Sequence, residues 1–218
     1  MMSLLINDIA PNFESNSTDG LIKFHKWIGK SYAILFSHPK DFTPVCTTEF
    51  SVLAALSLEF KNRSTKVIGV SVDSIEDHIK WKEDIESISS TKVAFPIIED
   101  TSLTVSKLYN MFPSDAYLPD GRTAQDSATV RTVFIIGPDK KIRLTLSYPM
   151  AVGRNFSEIL RALDAIQLTD KHIIATPANW LNGQDVIIPL SISDDDAANK
   201  YGLIDKKLAY LRYIKQPD

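Results

Sequence analysis

An α/β sandwich with a mixed central sheet, followed by a smaller C-terminal domain, is the fold class this sequence predicts. Three observations lead to it. Continuous apolar runs at 31–37 (SYAILFS) and 66–73 (KVIGVSVD) have the pattern of strands buried on both faces. Segments with helical spacing of apolar residues alternate with such runs as far as residue 169, the arrangement of helices packed on a sheet. From Asp170 onward the character changes to scattered prolines and short apolar pieces, so the expected division is 1–169 and 170–218.

The elements follow in order. Residues 12–27 read as two short extended runs joined by a Thr18-Asp19-Gly20 turn. The strand at 31–37 leads into a polar loop, HPKDFT. Phe50, Leu53, Ala54, Ser57 and Leu58 then recur at helical spacing, with Glu49 and Glu59 among the polar positions. The strand at 66–73 is followed by a charged amphipathic helix at 75–87. A third strand is expected at 93–98, where Pro96 points to an edge position or a bulge. Residues 101–112 are helical in pattern, with Thr101 or Ser102 as the N-cap. The turn-rich stretch 113–129 is long enough to be a functional loop. Residues 130–137, a Pro138-Asp139 turn and residues 142–149 make a hairpin, and 155–169 is a last amphipathic helix capped by Asn155. For this order of elements a thioredoxin-like sandwich is the natural candidate.

Composition narrows the function classes. A net charge of −3 leaves no electrostatic footprint for nucleic acid or an anionic membrane. No apolar run approaches the length of a membrane span, and the N-terminal stretch MMSLLINDIAPNF has no export-signal pattern. The chain holds one cysteine, Cys46, so no intramolecular disulfide can form and the cytoplasm is the expected compartment.

The setting of that cysteine suggests chemistry. With Thr43 at the N-cap, Pro44 falls at the first helical position, where a missing N–H costs nothing. Cys46 is then in the first turn, where unpaired N–H groups and the positive end of the helix dipole favour a thiolate. Three other uses of a reactive cysteine fail on the letters. The dithiol motif C-x-x-C reads Cys46-Thr47-Thr48-Glu49, a phosphatase loop would need arginine where Val52 stands, and His25, His38, His78 and His172 are dispersed along the chain, so no zinc set is expected. A free cysteine is more often a small buried hydrophobe, and the residues themselves leave that reading open.

The run FSHPKDFTPVCTTE, with Pro39, Thr43 and Cys46 in the spacing P-x-x-x-T-x-x-C, resembles the active-site signature of the peroxiredoxins, and of their one-cysteine subfamily in particular. Similarity extends through GVSVDSIEDHIKW, RTVFIIGPDKKIRL, YPMAVGRNFSEILRALDAIQLT, ATPANW and KKLAYLRY. The resemblance implies a thiol-dependent peroxidase without metal, haem or flavin. In it Cys46 attacks the hydroperoxide and becomes a sulfenic acid, Thr43 hydrogen-bonds the peroxide, Pro39 shields the thiolate and Arg131 stabilises the developing charge. His38, Glu49 and Arg154 match supporting positions. It further implies a homodimer with the C-terminal domain at its interface. Because the chain has no second cysteine, the resolving thiol must be external: glutathione, with or without a glutathione transferase, or a thioredoxin-type protein.

Two other activities are carried forward. The subfamily's mammalian members are also credited with phospholipase A2 activity, whose serine, histidine and aspartate match Ser31, His25 and Asp139. Here, however, the motif reads Gly29-Lys30-Ser31-Tyr32-Ala33 without its last glycine, and the serine opens a strand instead of an elbow. Gly29-Lys30-Ser31 also resembles the end of a phosphate-binding loop, but Phe24 stands where that loop needs glycine. A peroxide sensor or oxidation-triggered chaperone using Cys46 is the non-enzymatic alternative.

Overall fold

The computed structural model describes residues 4–114, 116 and 127–218. Its elements are β1 (Glu14–Ser17), β2 (Gly20–Lys23), α1 (Phe24–Ile28), β3 (Tyr32–Ser37), α2 (Pro44–Ala55), α3 (Ser57–Asn62), β4 (Thr65–Ser71), α4 (Ile75–Ser89), β5 (Ile97–Glu99), α5 (Thr104–Leu108), β6 (Arg131–Ile136), β7 (Ile142–Tyr148), α6 (Phe156–Lys171), β8 (Val186–Ile187), α7 (Asp194–Tyr201), β9 (Asp205–Leu208) and β10 (Leu211–Ile214). Contacts divide the chain into two compact units, Met1–Arg154 and Asn155–Asp218. On that division α6 groups with the C-terminal unit, whereas the expected boundary lay near the end of this helix.

In the first unit, seven strands among the described residues form a sheet in the order β2-β1-β5-β4-β3-β6-β7. β3, β4 and β5 run parallel, while β6 and β7 are antiparallel, as are β1 and β2. This is the mixed, thioredoxin-like sandwich. The apolar runs of β3 and β4 are continuous because both faces are covered. Ala33, Leu35, Ile68 and Val70 face a cluster with Phe24, Val105 and Tyr109, which brings α1 and α5 onto that side. On the other side Phe36 meets Phe50 of α2 at 5.3 Å between ring centroids, and Phe50 meets Trp81 of α4 at 4.5 Å. Gly69 permits this approach: a Cβ there would stand 3.2 Å from the Phe36 ring and 3.4 Å from Phe50.

Several local expectations change. The extended reading of 12–27 holds for the hairpin, but FHKW folds into α1. Pro96 precedes β5 rather than interrupting it, and β5 is an interior strand, not an edge. The proline needs no N–H there, and its carbonyl accepts from Gly69 N at 3.0 Å. α5 is shorter than expected and begins at Thr104. Its free N–H groups, on Val105 and Ser106, are taken by the buried Asp100 carboxylate at 2.9 and 2.7 Å, so neither Thr101 nor Ser102 caps it. Ser74 and Asn155 cap α4 and α6 through their side chains. Of the stretch 113–129, residues 115 and 117–126 lie outside the described residues.

The second unit is built on Ile174, Trp180, Val186, Ile188, Ala197 and Ile214, with Ala165 and Leu168 of α6 packed against them. β8, β10 and β9 form its antiparallel sheet. Ser193 caps α7 by accepting from Asp196 N at 3.0 Å.

Candidate active site

α2 begins as its sequence requires. Thr43 is the N-cap in extended conformation and Pro44 occupies the first turn. The Thr43 hydroxyl does not cap the helix; it donates to Lys40 O at 2.9 Å. With its proton directed there, its lone pairs can only accept a hydrogen bond from an incoming group. Pro39 is buried, and Cys46 has no exposed surface.

Arg131, the first residue of β6, approaches from the sheet. Its Nη1 donates to Cys46 Sγ at 3.3 Å and to Glu49 Oε2 at 2.7 Å, and its Nε donates to Met150 O at 2.8 Å. Nη2 has no hydrogen-bond partner among the described residues, which leaves a donor directed by an otherwise fixed guanidinium. Arg154 grips the other side of Glu49: Nε donates to Oε1 at 2.9 Å, Nη2 to Oε2 at 2.6 Å, and its main-chain N–H to Oε1 at 2.8 Å. Its Nη1 donates to Ser37 O at 2.8 Å.

Arg131, Arg154 and Glu49 are 2%, 7% and 3% exposed, so this is a buried charge cluster rather than surface decoration. Glu49, assigned to the polar positions of its helix, faces inward; Glu59 is exposed as expected. Burial opposes ionisation of Glu49, but the Arg154 hydrogen bonds and charge outweigh it and hold the carboxyl below the usual glutamate range. Two guanidinium groups and one carboxylate carry a surplus positive charge. The Cys46 sulfur lies against that surplus, 3.3 Å from Arg131 Nη1.

The acid dependence follows. A carboxyl held below its ordinary value of 4.5 adds stability above that pH and loses it as pH falls through the folded-state value. The stability difference between the protein and Glu49→Gln should therefore be largest near neutrality and narrow as pH drops below 4.5, measured by urea unfolding across a pH series.

His38 lies beside this cluster in sequence but belongs to a second buried group. Its Nε2 is 2.7 Å from Asp41 Oδ1, while His78 Nδ1 is 2.5 Å from Asp41 Oδ2. Dispersal of the histidines along the chain does not carry into three dimensions, since the His38, Asp41 and His78 ligand atoms all lie within 4.8 Å of one another. Their separations are those of charge-assisted hydrogen bonds. Burial pushes His38 down, against its Asp41 bond; the two imidazoles hold Asp41 below the usual carboxylate range despite its burial. Among the described residues His38 Nδ1 is buried without a hydrogen-bond partner.

The sequence reading gave Asp41 no role and set His78 aside with the other dispersed histidines. The available signal for His78 was its spacing from Trp81 and Ile85, which places all three on the buried face of α4.

Ser31, His25 and Asp139 are not brought together by any hydrogen bond. His25 Nε2 is engaged with Ala10 O at 2.7 Å, and Asp139 accepts from Lys141 N and Arg143 Nη2, both at 3.1 Å. Ser31 lines a separate cavity with Trp27, Leu58, Lys61 and Phe95.

A fold of this kind with a helix-start cysteine facing a buried arginine defines a thiol-chemistry protein. Residues 6–145 match the AhpC/TSA family and residues 165–202 the C-terminal domain of 1-Cys peroxiredoxin. The chain belongs to the peroxiredoxins and is a thiol-dependent peroxidase with a single cysteine. It is 50% identical over 215 residues to Peroxiredoxin PRX1, mitochondrial, of Saccharomyces cerevisiae, covering 97% of this chain and 81% of that one. With Peroxiredoxin-6 of Mus musculus identity is 44%, covering 98% of each. A solved structure of the yeast mitochondrial 1-Cys peroxiredoxin, described in terms of thiol resolution through glutathione and thioredoxin systems, superposes with a TM-score of 0.87, at 49% identity over 97% of this chain and 99% of that one. Among the described residues, no helix is long and apolar enough to cross a membrane.

Proposed function

We propose that the enzyme reduces hydrogen peroxide and organic hydroperoxides at Cys46, with Thr43, Pro39 and Arg131 completing the reacting site over residues 1–169. The observation that carries this reading is the 3.3 Å contact of Arg131 with the only sulfur of a cysteine in the chain. The thiolate attacks one peroxide oxygen, and the O–O bond breaks. Sulfur is oxidised to the sulfenic acid, and the departing oxygen leaves as alkoxide or hydroxide and takes a proton from water. Thr43 accepts the peroxide O–H, and Arg131 holds the charge that grows on oxygen.

Resolution requires an external thiol. It condenses with the sulfenic acid, releasing water and leaving a mixed disulfide, and a second thiol then restores Cys46. Glutathione, with or without a glutathione transferase, or a thioredoxin-type protein fills that role, in keeping with the systems described for the yeast relative. The buried sulfur must become accessible for this step. A homodimer, with residues 170–218 near its interface, and a cytoplasmic setting complete the reading. The homodimer is supported by the family resemblance and by the outer edge of β7 beyond Ile142, which no strand pairs among the described residues.

The test is rapid mixing of reduced protein with hydrogen peroxide, followed by tryptophan fluorescence and peptide mass mapping. One oxygen atom gained on the Cys46 peptide at one equivalent of peroxide, far faster than for an ordinary free thiol, is the expected result. Oxidation at the ordinary rate would leave the sensor reading in its place.

A further inference from the structure

The loop between β3 and α2 carries Pro39 and Thr43, yet it is held by contacts remote from the sulfur. Asp41 makes three of them. One carboxylate oxygen is bonded to His38 at the end of β3, the other to His78 of α4, and the Asp41 main-chain N–H donates to Asp73 Oδ2 at 2.9 Å, just beyond β4. Ser71 Oγ donates to the same Asp73 oxygen at 2.7 Å and holds it in place. His78 is itself fixed at its other nitrogen, which lies 3.2 Å from Ile98 O.

A second observation shows that these anchors determine the loop's path. Phe42, between Asp41 and Thr43, has φ 54°, in the left-handed region, with its side chain about half exposed. A bulky residue stays in that region only when its surroundings over-determine the backbone. The exposed Phe42 ring supplies little of that constraint, whereas the anchored Asp41 on one side and the N-cap geometry of Thr43 on the other supply it.

We propose that His78 and Asp73 are positioning residues for the peroxide step, acting through Asp41 to keep Thr43 in register with Cys46 at the start of α2. The inference rests on Cys46 and Thr43 serving as assigned above. Neither His78 nor Asp73 touches the reacting atoms. Their effect falls on where the Thr43 lone pairs meet the peroxide, not on the sulfur's charge, which Arg131 and the helix start govern.

The experiment compares two rate constants on the reduced full-length protein at one pH: oxidation of Cys46 by hydrogen peroxide and its alkylation by iodoacetamide. Alkylation reports the sulfur's own reactivity and does not need Thr43. His78→Leu and Asp73→Ala should each slow oxidation by about 10- to 100-fold while changing alkylation by no more than about twofold. His78→Asn, which keeps an N–H for Asp41, should recover most of the loss. Asp73 is only partly buried, so its variant gives the answer even where His78→Leu fails to fold.

Equal loss of both rates, loss of neither, or no recovery in His78→Asn overturns the inference. Unmutated protein that reacts with peroxide no faster than an ordinary thiol overturns the underlying reading instead, so the two failures are told apart.

Discussion

Replacing Arg131 with methionine is expected to slow oxidation of Cys46 by hydrogen peroxide by about 10²–10³-fold, the usual cost of removing one fixed donor from developing oxygen charge. The side chain is anchored twice, at Met150 O and at Glu49, so its remaining donors arrive at the sulfur without reorganisation. Methionine fills similar volume but offers no N–H. Arg131→Lys keeps the charge without the fork and should fall between the two. The fold should survive both changes, because Glu49 retains Arg154 at both of its oxygens. Stopped-flow oxidation combined with urea unfolding separates the two effects. Large loss of rate with small loss of stability is the expected pattern, and comparable losses of both would remove Arg131 from the chemistry.

Arg154→Met should do the opposite, costing about 3–5 kcal/mol of stability, because removing one partner leaves a buried charge poorly compensated. Both partners are almost wholly buried, which distinguishes this pair from exposed ones such as Lys23–Glu14, worth about 0–1 kcal/mol. Arg154 also ties the chain beyond β7 back to the end of β3 through Ser37 O, and stands 5.0 Å over the Phe36 ring. Its loss should lower the urea midpoint strongly. Glu49 would then rest on Arg131 alone and compete with the sulfur for that guanidinium. A second, smaller loss of peroxide rate should follow. An unfolding midpoint within that of a surface-pair mutant would show that the cluster contributes little to stability.

The sequence carries the sandwich and the reacting cysteine for physical reasons that can be named. A strand buried on both faces must be apolar at every position, so SYAILFS and KVIGVSVD are legible by themselves. Thr-Pro before Cys46 marks a helix start because proline lacks the N–H that an interior position needs. Asn155 is legible as a cap because its side-chain oxygen can accept from the open first turn. What was read less well lies where a local pattern competes with a distant partner. Pro96 looks like an edge signal until β1 is seen to pair with β5 outside it. Thr101 and Ser102 look like caps until Asp100 reaches the same N–H groups first.

Charge shows the division most clearly. Glu49 on a helix surface and Glu49 between two guanidinium groups are the same letter, and only packing of β6 and of the turn beyond β7 against α2 decides which it is. His78 is likewise far from His38 and Asp41 in the chain and joins them only when α4 lies beside the loop after β3. The sequence by itself determined that the chain has one thiol, that it lies in the first turn of a helix, and that no second thiol of this chain can relieve it. Tertiary structure alone decided what surrounds that atom, because desolvation and hydrogen bonding act through space between residues that the chain holds far apart.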